Sequence, residues 1–153
     1  MILIVEVGMS KLTVAQSKTI EEYWSDIPSL KRQLEFREWE LLHQHKERDT
    51  NIGGGRSYNL SDTTAQKAML LAEDERYQNL KKNVDAIDYV IKKVSEDKKQ
   101  RLLREFMEMK YISKESNYMD WDDVAIELDI TKAKAYKLRN KLIDMTAEKL
   151  GWL

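Results

Sequence analysis

Between Thr131 and Ile143 every charged residue is basic: Lys132, Lys134, Lys137, Arg139 and Lys141. Between Asp120 and Asp129 every charged residue is acidic. Ammonium groups on one helical face are donors without acceptors. They suit phosphate oxygens and the N7 and O6 atoms of guanine, while an asparagine amide can pair bidentately with adenine. Placed at about 100° per residue with Ala135 inward, Leu138 and Leu142 fall close to the same inward direction. Ala133, Lys137, Asn140 and Lys141 fall opposite, with Tyr136 and Lys134 at the edges. Such a face fits a major groove about 12 Å wide. Thr131 and Lys132, at the helix N-terminus, are placed for phosphate contact, which the helix dipole favours. The candidate nucleic-acid contacts are therefore Thr131, Lys132, Ala133, Lys134, Tyr136, Lys137, Asn140 and Lys141. Arg139 lies nearer the buried side and is expected to pair with Asp123 or Glu127.

Two short helices must position that face. Val124, Ala125 and Leu128 on the first, and Ile130, Ala135, Leu138 and Leu142 after it, fall where the pair would touch. Ala125 is small at the crossing. Thr131 is the expected N-cap of the second helix, its hydroxyl accepting from an otherwise unpaired backbone N–H. A helix-turn-helix often has glycine in the turn, where one residue takes positive φ. Asp129 stands there instead, and Asp tolerates that region better than most residues. The plainer alternative is a helical hairpin with a basic outer face.

The rest of the chain reads as helical. Thr13 to Asp26 places Ile20, Tyr23, Trp24 and Ile27 on one face, and Pro28 ends or kinks that helix. Ser29 to Glu47 is a second helix with Leu30, Leu34, Trp39, Leu41 and Leu42 as its apolar residues. Asp49 to Asp62, DTNIGGGRSYNLSD, is a glycine-rich loop. It lacks the Gly-Lys-Ser/Thr ending and the preceding strand of a P-loop, so a hinge or a packed loop is expected. From Asp62 or Thr63 as cap, a long central helix runs to about Val94. Tyr77, Leu80, Val84, Ile87, Ile91 and Val94 form a seam at alternating spacings of three and four. An antiparallel helix of the same chain is the preferred partner, and a homodimer seam is the alternative. Ser95 to Tyr111 adds an amphipathic helix bearing Leu102, Leu103, Phe106 and Met109, and Ile112 to Met119 is a polar connector.

The fold class is thus all-α: an N-terminal helical hairpin, a long central helix and a C-terminal helix-turn-helix. The segments are an N-terminal extension (1–12), a helical pair (13–48), the glycine-rich loop (49–62), the central helix (63–94) and a DNA-binding domain (95–153). Ile2 to Val7 is the one β-rich run, and Met9 is an alternative start. That run lacks the basic flank and the length of a signal peptide, and no stretch is long enough to span a membrane. A chain of 153 residues without cysteine has no disulfide or thiolate metal site and reads as cytoplasmic. Its net charge of −1 leaves any nucleic-acid binding to a local basic surface. His43 and His45 are two apart and share no helix face, so a metal role is not expected. Neither a cofactor nor a catalytic constellation is expected: the carboxylates form no recognisable pair, and Ser57 and Tyr58 have no activating base.

With those residues in place, the chain resembles the RinA/ArpU-type late transcription regulators of phages and prophages of Gram-positive bacteria. The resemblance rests on IEEYWSDIPSLKRQLEFRE (Ile20 to Glu38), NIGGGRSYNLSDTTAQKA (Asn51 to Ala68), WDDVAIELDITKAKAYKLRNKLI (Trp121 to Ile143) and the closing LGW (Leu150 to Trp152). It implies activation of late genes for packaging, structure and lysis. The C-terminal half also looks like the promoter-reading domain of bacterial sigma factors. Double-stranded DNA of a late promoter or operator is the expected partner. The N-terminal helices would set a homo-oligomer or touch host RNA polymerase. A small terminase-type packaging protein, which usually carries its helix-turn-helix near the N-terminus, and a helical adaptor that binds no DNA are the competing readings.

Overall fold

The computed structural model describes residues 12–51, 60–113 and 119–153. The described residues are helical, with no strand among them: α1 (Val14–Ser25), α2 (Ile27–Asn51), α3 (Leu60–Glu73), α4 (Glu75–Glu96), α5 (Arg101–Met107), α6 (Trp121–Leu128) and α7 (Lys132–Leu150). No helix among them is long and apolar enough to cross a membrane. The N-terminal extension up to residue 11, with its β-rich run and Met9, lies outside the described residues. So do residues 52–59 of the glycine-rich loop and 114–118 of the connector.

The chain forms two compact units. One comprises the described residues up to Ile27 together with Asp85–Leu153, and the other is Pro28–Val84. The first unit is discontinuous in sequence because α1 packs on α7. Thr13 opens α1 with a capping box: the Gln16 N–H donates to Thr13 Oγ1 at 3.0 Å, and Gln16 Oε1 accepts from the Thr13 N–H at 2.9 Å. Each partner thereby satisfies a backbone donor at the helix start. Ile20 and Trp24, one turn apart on α1, are fully buried with Phe106, Val124, Leu142 and Ala147. The indole Nε1 of Trp24 donates to Thr146 Oγ1 at 2.9 Å, and that hydroxyl donates to the Leu142 carbonyl at 2.8 Å. Thr146 is completely buried, and this chain of bonds satisfies its polar atom. The expected hairpin paired the first two helices. α2 starts immediately after the Asp26 break, and the boundary between the units falls within its first turn, between Ile27 and Pro28. Pro28 sits in the first turn of α2, where its missing N–H removes no helical bond.

In the second unit the expected central helix is interrupted at Asp74. Its carboxylate receives the Arg37 guanidinium through two bonds, Nη2 to Oδ1 at 2.7 Å and Nε to Oδ2 at 3.0 Å. The same carboxylate accepts the Tyr77 backbone N–H at 2.7 Å, capping α4. Gln78 reaches back to the Leu71 carbonyl at 2.8 Å, occupying an acceptor at the end of α3. The break is thus held by side chains rather than by glycine or proline. The expected boundaries of the glycine-rich loop shift as well: residues 49–51 extend α2, and α3 begins at Leu60 rather than at Asp62 or Thr63. Of the heptad seam, Tyr77, Val84, Ile87 and Val94 are buried within the single chain.

Hydrogen bonds from Arg37, then from the Tyr77 N–H, hold the Asp74 carboxyl below the usual aspartate range. A carboxyl with a lowered folded-state value stabilises the fold above the ordinary aspartate value of about 3.9. That contribution is lost as the pH falls through the lowered value. Asp74→Asn is expected to lower the urea midpoint at pH 7 and to flatten its decline below about pH 4, read by circular dichroism across pH.

The helix expected over Ser95–Tyr111 is likewise divided. Asp97 turns the chain by accepting the Lys99 N–H at 2.9 Å and the Gln100 amide at 2.6 Å. α5 follows and ends in a π-helical turn, Glu108–Ile112, that carries Tyr111 into the core. Burial, reinforced by Glu21, raises the Tyr111 phenol above its usual range.

Candidate nucleic-acid interface

α6 and α7 are joined by the three residues Asp129–Thr131. Asp120 caps α6 by accepting the Asp123 N–H at 2.8 Å. The helix ends at Asp129, with φ 57° and ψ 48°, in the left-handed region. The Ile130 N–H then donates at 2.9 Å to the Ala125 carbonyl, which the Asp129 N–H also reaches, closing the helix end. Thr131 caps α7 as the sequence predicts, its Oγ1 accepting the Lys134 N–H at 3.0 Å. Val124 and Ala125 are buried on α6, as are Ala135, Leu138 and Leu142 on α7. Replacing Asp129 by valine, whose branched side chain resists positive φ, is expected to cost about 1–2 kcal/mol. Asp129→Gly is expected to be neutral or slightly stabilising. Thermal melts of the two variants check this pair.

The expected outer face of α7 is the solvent face. Thr131, Lys132, Ala133, Lys134, Lys137, Asn140 and Lys141 are exposed, and Tyr136 is half-buried. Their neighbours differ, however. Lys134 and Lys137 make no ion pair among the described residues. Lys132 lies 3.2 Å from Asp122, which holds its ammonium above the usual lysine range. Tyr136 stacks on Trp121 at 4.5 Å between ring centroids, 25° from parallel, so its ring supports α6 as much as it faces outward.

Arg139 departs from expectation in its partner. It is half-buried and pairs with neither Asp123 nor Glu127. Its Nη1 lies 3.3 Å from Glu21 Oε1 on α1. The guanidinium also sits 5.2 Å from the Tyr136 ring centroid, and its Nε and Nη2 donate to Asn140 Oδ1 at 3.2 and 2.9 Å. The packing of α1 on α7 brings Glu21 to the side of α7 where Arg139 emerges, and that contact wins over the acidic residues of α6. Glu21 and Trp121 are the two site residues that sequence reasoning missed. No local spacing signals Glu21, which is 118 positions from Arg139.

A protein-family model described as "Protein of unknown function (DUF722)" matches residues 16–148. The chain belongs to the DUF722 family. The match extends from α1 into the last turns of α7, so the Glu21–Arg139 pair and the Trp24–Thr146 bond both lie within the family's span. No curated protein and no solved structure matches the chain.

Elsewhere, His43 stacks on Trp39 at 4.6 Å, and the side chain of His45 lies outside the described residues, as do Ser57 and Tyr58. Among the described residues no group of three or more His, Cys, Asp or Glu side chains could hold a metal ion.

Proposed function

We propose that this chain is a sequence-specific DNA-binding regulator, non-catalytic, that activates late phage genes for packaging, structure and lysis. α6 and α7 act as a helix-turn-helix of the sigma-factor type, with α7 docked in the major groove of a late promoter in the host cytoplasm. The reading is carried by one observation: Lys134, Lys137, Asn140 and Lys141 share the exposed face of a helix whose opposite face is buried. The resemblance to the RinA/ArpU-type regulators supplies the choice of late genes. Host RNA polymerase and a second copy of the chain are the further partners. In a symmetric dimer the half-sites lie about 34 Å apart, or a multiple of it.

A footprint of the purified full chain on the late-operon DNA of its own phage tests the proposal. A protected site should appear. Lys137→Ala and Asn140→Ala should each weaken specific binding by about 1–3 kcal/mol if they remove a base contact. Affinity unchanged by substitution of Lys134, Lys137, Asn140 and Lys141 in turn would sink the assignment of α7. Light scattering coupled to size exclusion separates the packaging alternative, because a ring of eight or more subunits would point to a small terminase.

A further inference from the structure

The Asn140 amide is held in one orientation and cannot present either end to a base at will. Its Oδ1 accepts Nη2 of Arg139 at 2.9 Å and Nε at 3.2 Å. A carbonyl oxygen has two lone pairs, and these two donors occupy both. Arginine has donors only, so the atom facing it is necessarily the oxygen and the amide nitrogen is left to face outward. Arg139 is in turn fixed by Glu21 at 3.3 Å and lies over the Tyr136 and Trp121 rings at 5.2 and 6.0 Å. Bidentate pairing with adenine requires the asparagine oxygen to accept from N6, which this clasp prevents. Guanine presents only acceptors at this edge, N7 and O6.

We infer that Glu21 and Arg139 are positioning residues that turn Asn140 into a pure donor and so set its base preference to guanine over adenine. The inference rests on the proposal that α7 reads DNA. Glu21 thereby couples α1 to a base-pair choice made on α7, without itself touching DNA.

The test is selection from a randomised double-stranded oligonucleotide pool by the full-length protein and its variants. Asn140→Ala identifies the relevant base pair as the one position whose preference disappears. At that position the native chain should favour guanine over adenine by about tenfold or more. Arg139→Ala and Glu21→Ala should shift that position toward adenine and leave the other positions as they were. A purely structural role for either residue would weaken every position alike. If Arg139→Ala proves unfolded by circular dichroism, Glu21→Ala carries the comparison. Adenine selected by the native chain, or guanine retained in the folded variants, would overturn the inference while leaving DNA reading intact. A native chain that enriches no sequence would overturn both.

Discussion

Replacing Trp24 by alanine is expected to cost about 3–5 kcal/mol of stability in the unit that contains α7. The indole is 1% exposed and lies 5.6 Å from the Tyr111 ring. Its removal leaves a large cavity whose lining loses contacts, and it takes away the donor to a completely buried hydroxyl. A typical domain has only about 5–15 kcal/mol in total, so the variant should melt at a markedly lower temperature. Trp24→Phe separates the two causes. It keeps most of the volume, loses the N–H, and should cost about 1–3 kcal/mol. Urea titrations followed by far-ultraviolet circular dichroism give both values. Equal losses in the two variants would mean that the hydrogen bond, and not the packing, dominates.

The second large effect concerns charge. Alanine at Lys134, Lys137 and Lys141 together should leave stability within about 0.5 kcal/mol, since all three are exposed. It should reduce the dependence of log K on log salt by up to about 2.7, at 0.9 for each phosphate contact removed. Over the roughly sixfold rise from 0.05 to about 0.3 M salt, the native chain should therefore lose up to about 100-fold more affinity than the triple variant. Lys132→Ala should do less than any of these, because its ammonium already rests against Asp122. Fluorescence anisotropy on a labelled duplex from 0.05 to about 0.3 M salt reads the slopes directly. A triple variant with the native slope would remove α7 from the contact surface.

The solvent face of α7 was legible in the sequence because burial there follows the helical period. Ala135, Leu138 and Leu142 point inward, and the lysines at 134, 137 and 141 point out. The Thr131 cap was legible for a related reason: the bond it makes is local. What sequence could not supply was every partner brought in from far along the chain. Asp123 and Glu127 were the nearby candidates for Arg139, yet the carboxylate that meets it comes from α1. The break at Asp74 carried a local hint, an aspartate followed by Glu75 in the manner of a helix start. The Arg37 fork that stabilises it lies 37 residues away. Ile20 and Trp24 were correctly placed on one face of α1, but an apolar stripe does not say which helix it will meet.

Trp24 and its partner Thr146 are separated by 122 positions, so α1 leaves the ribosome long before the helix it must dock on exists. Long-range closure of this kind slows folding, and a prematurely terminated chain lacks the surface that covers its own indole. α7 and the helix that completes its core are therefore assembled together, only once α7 itself has been made. A fragment beginning at Ser95, though it contains α6 and α7 whole, is left without the α1 side chains that close its core.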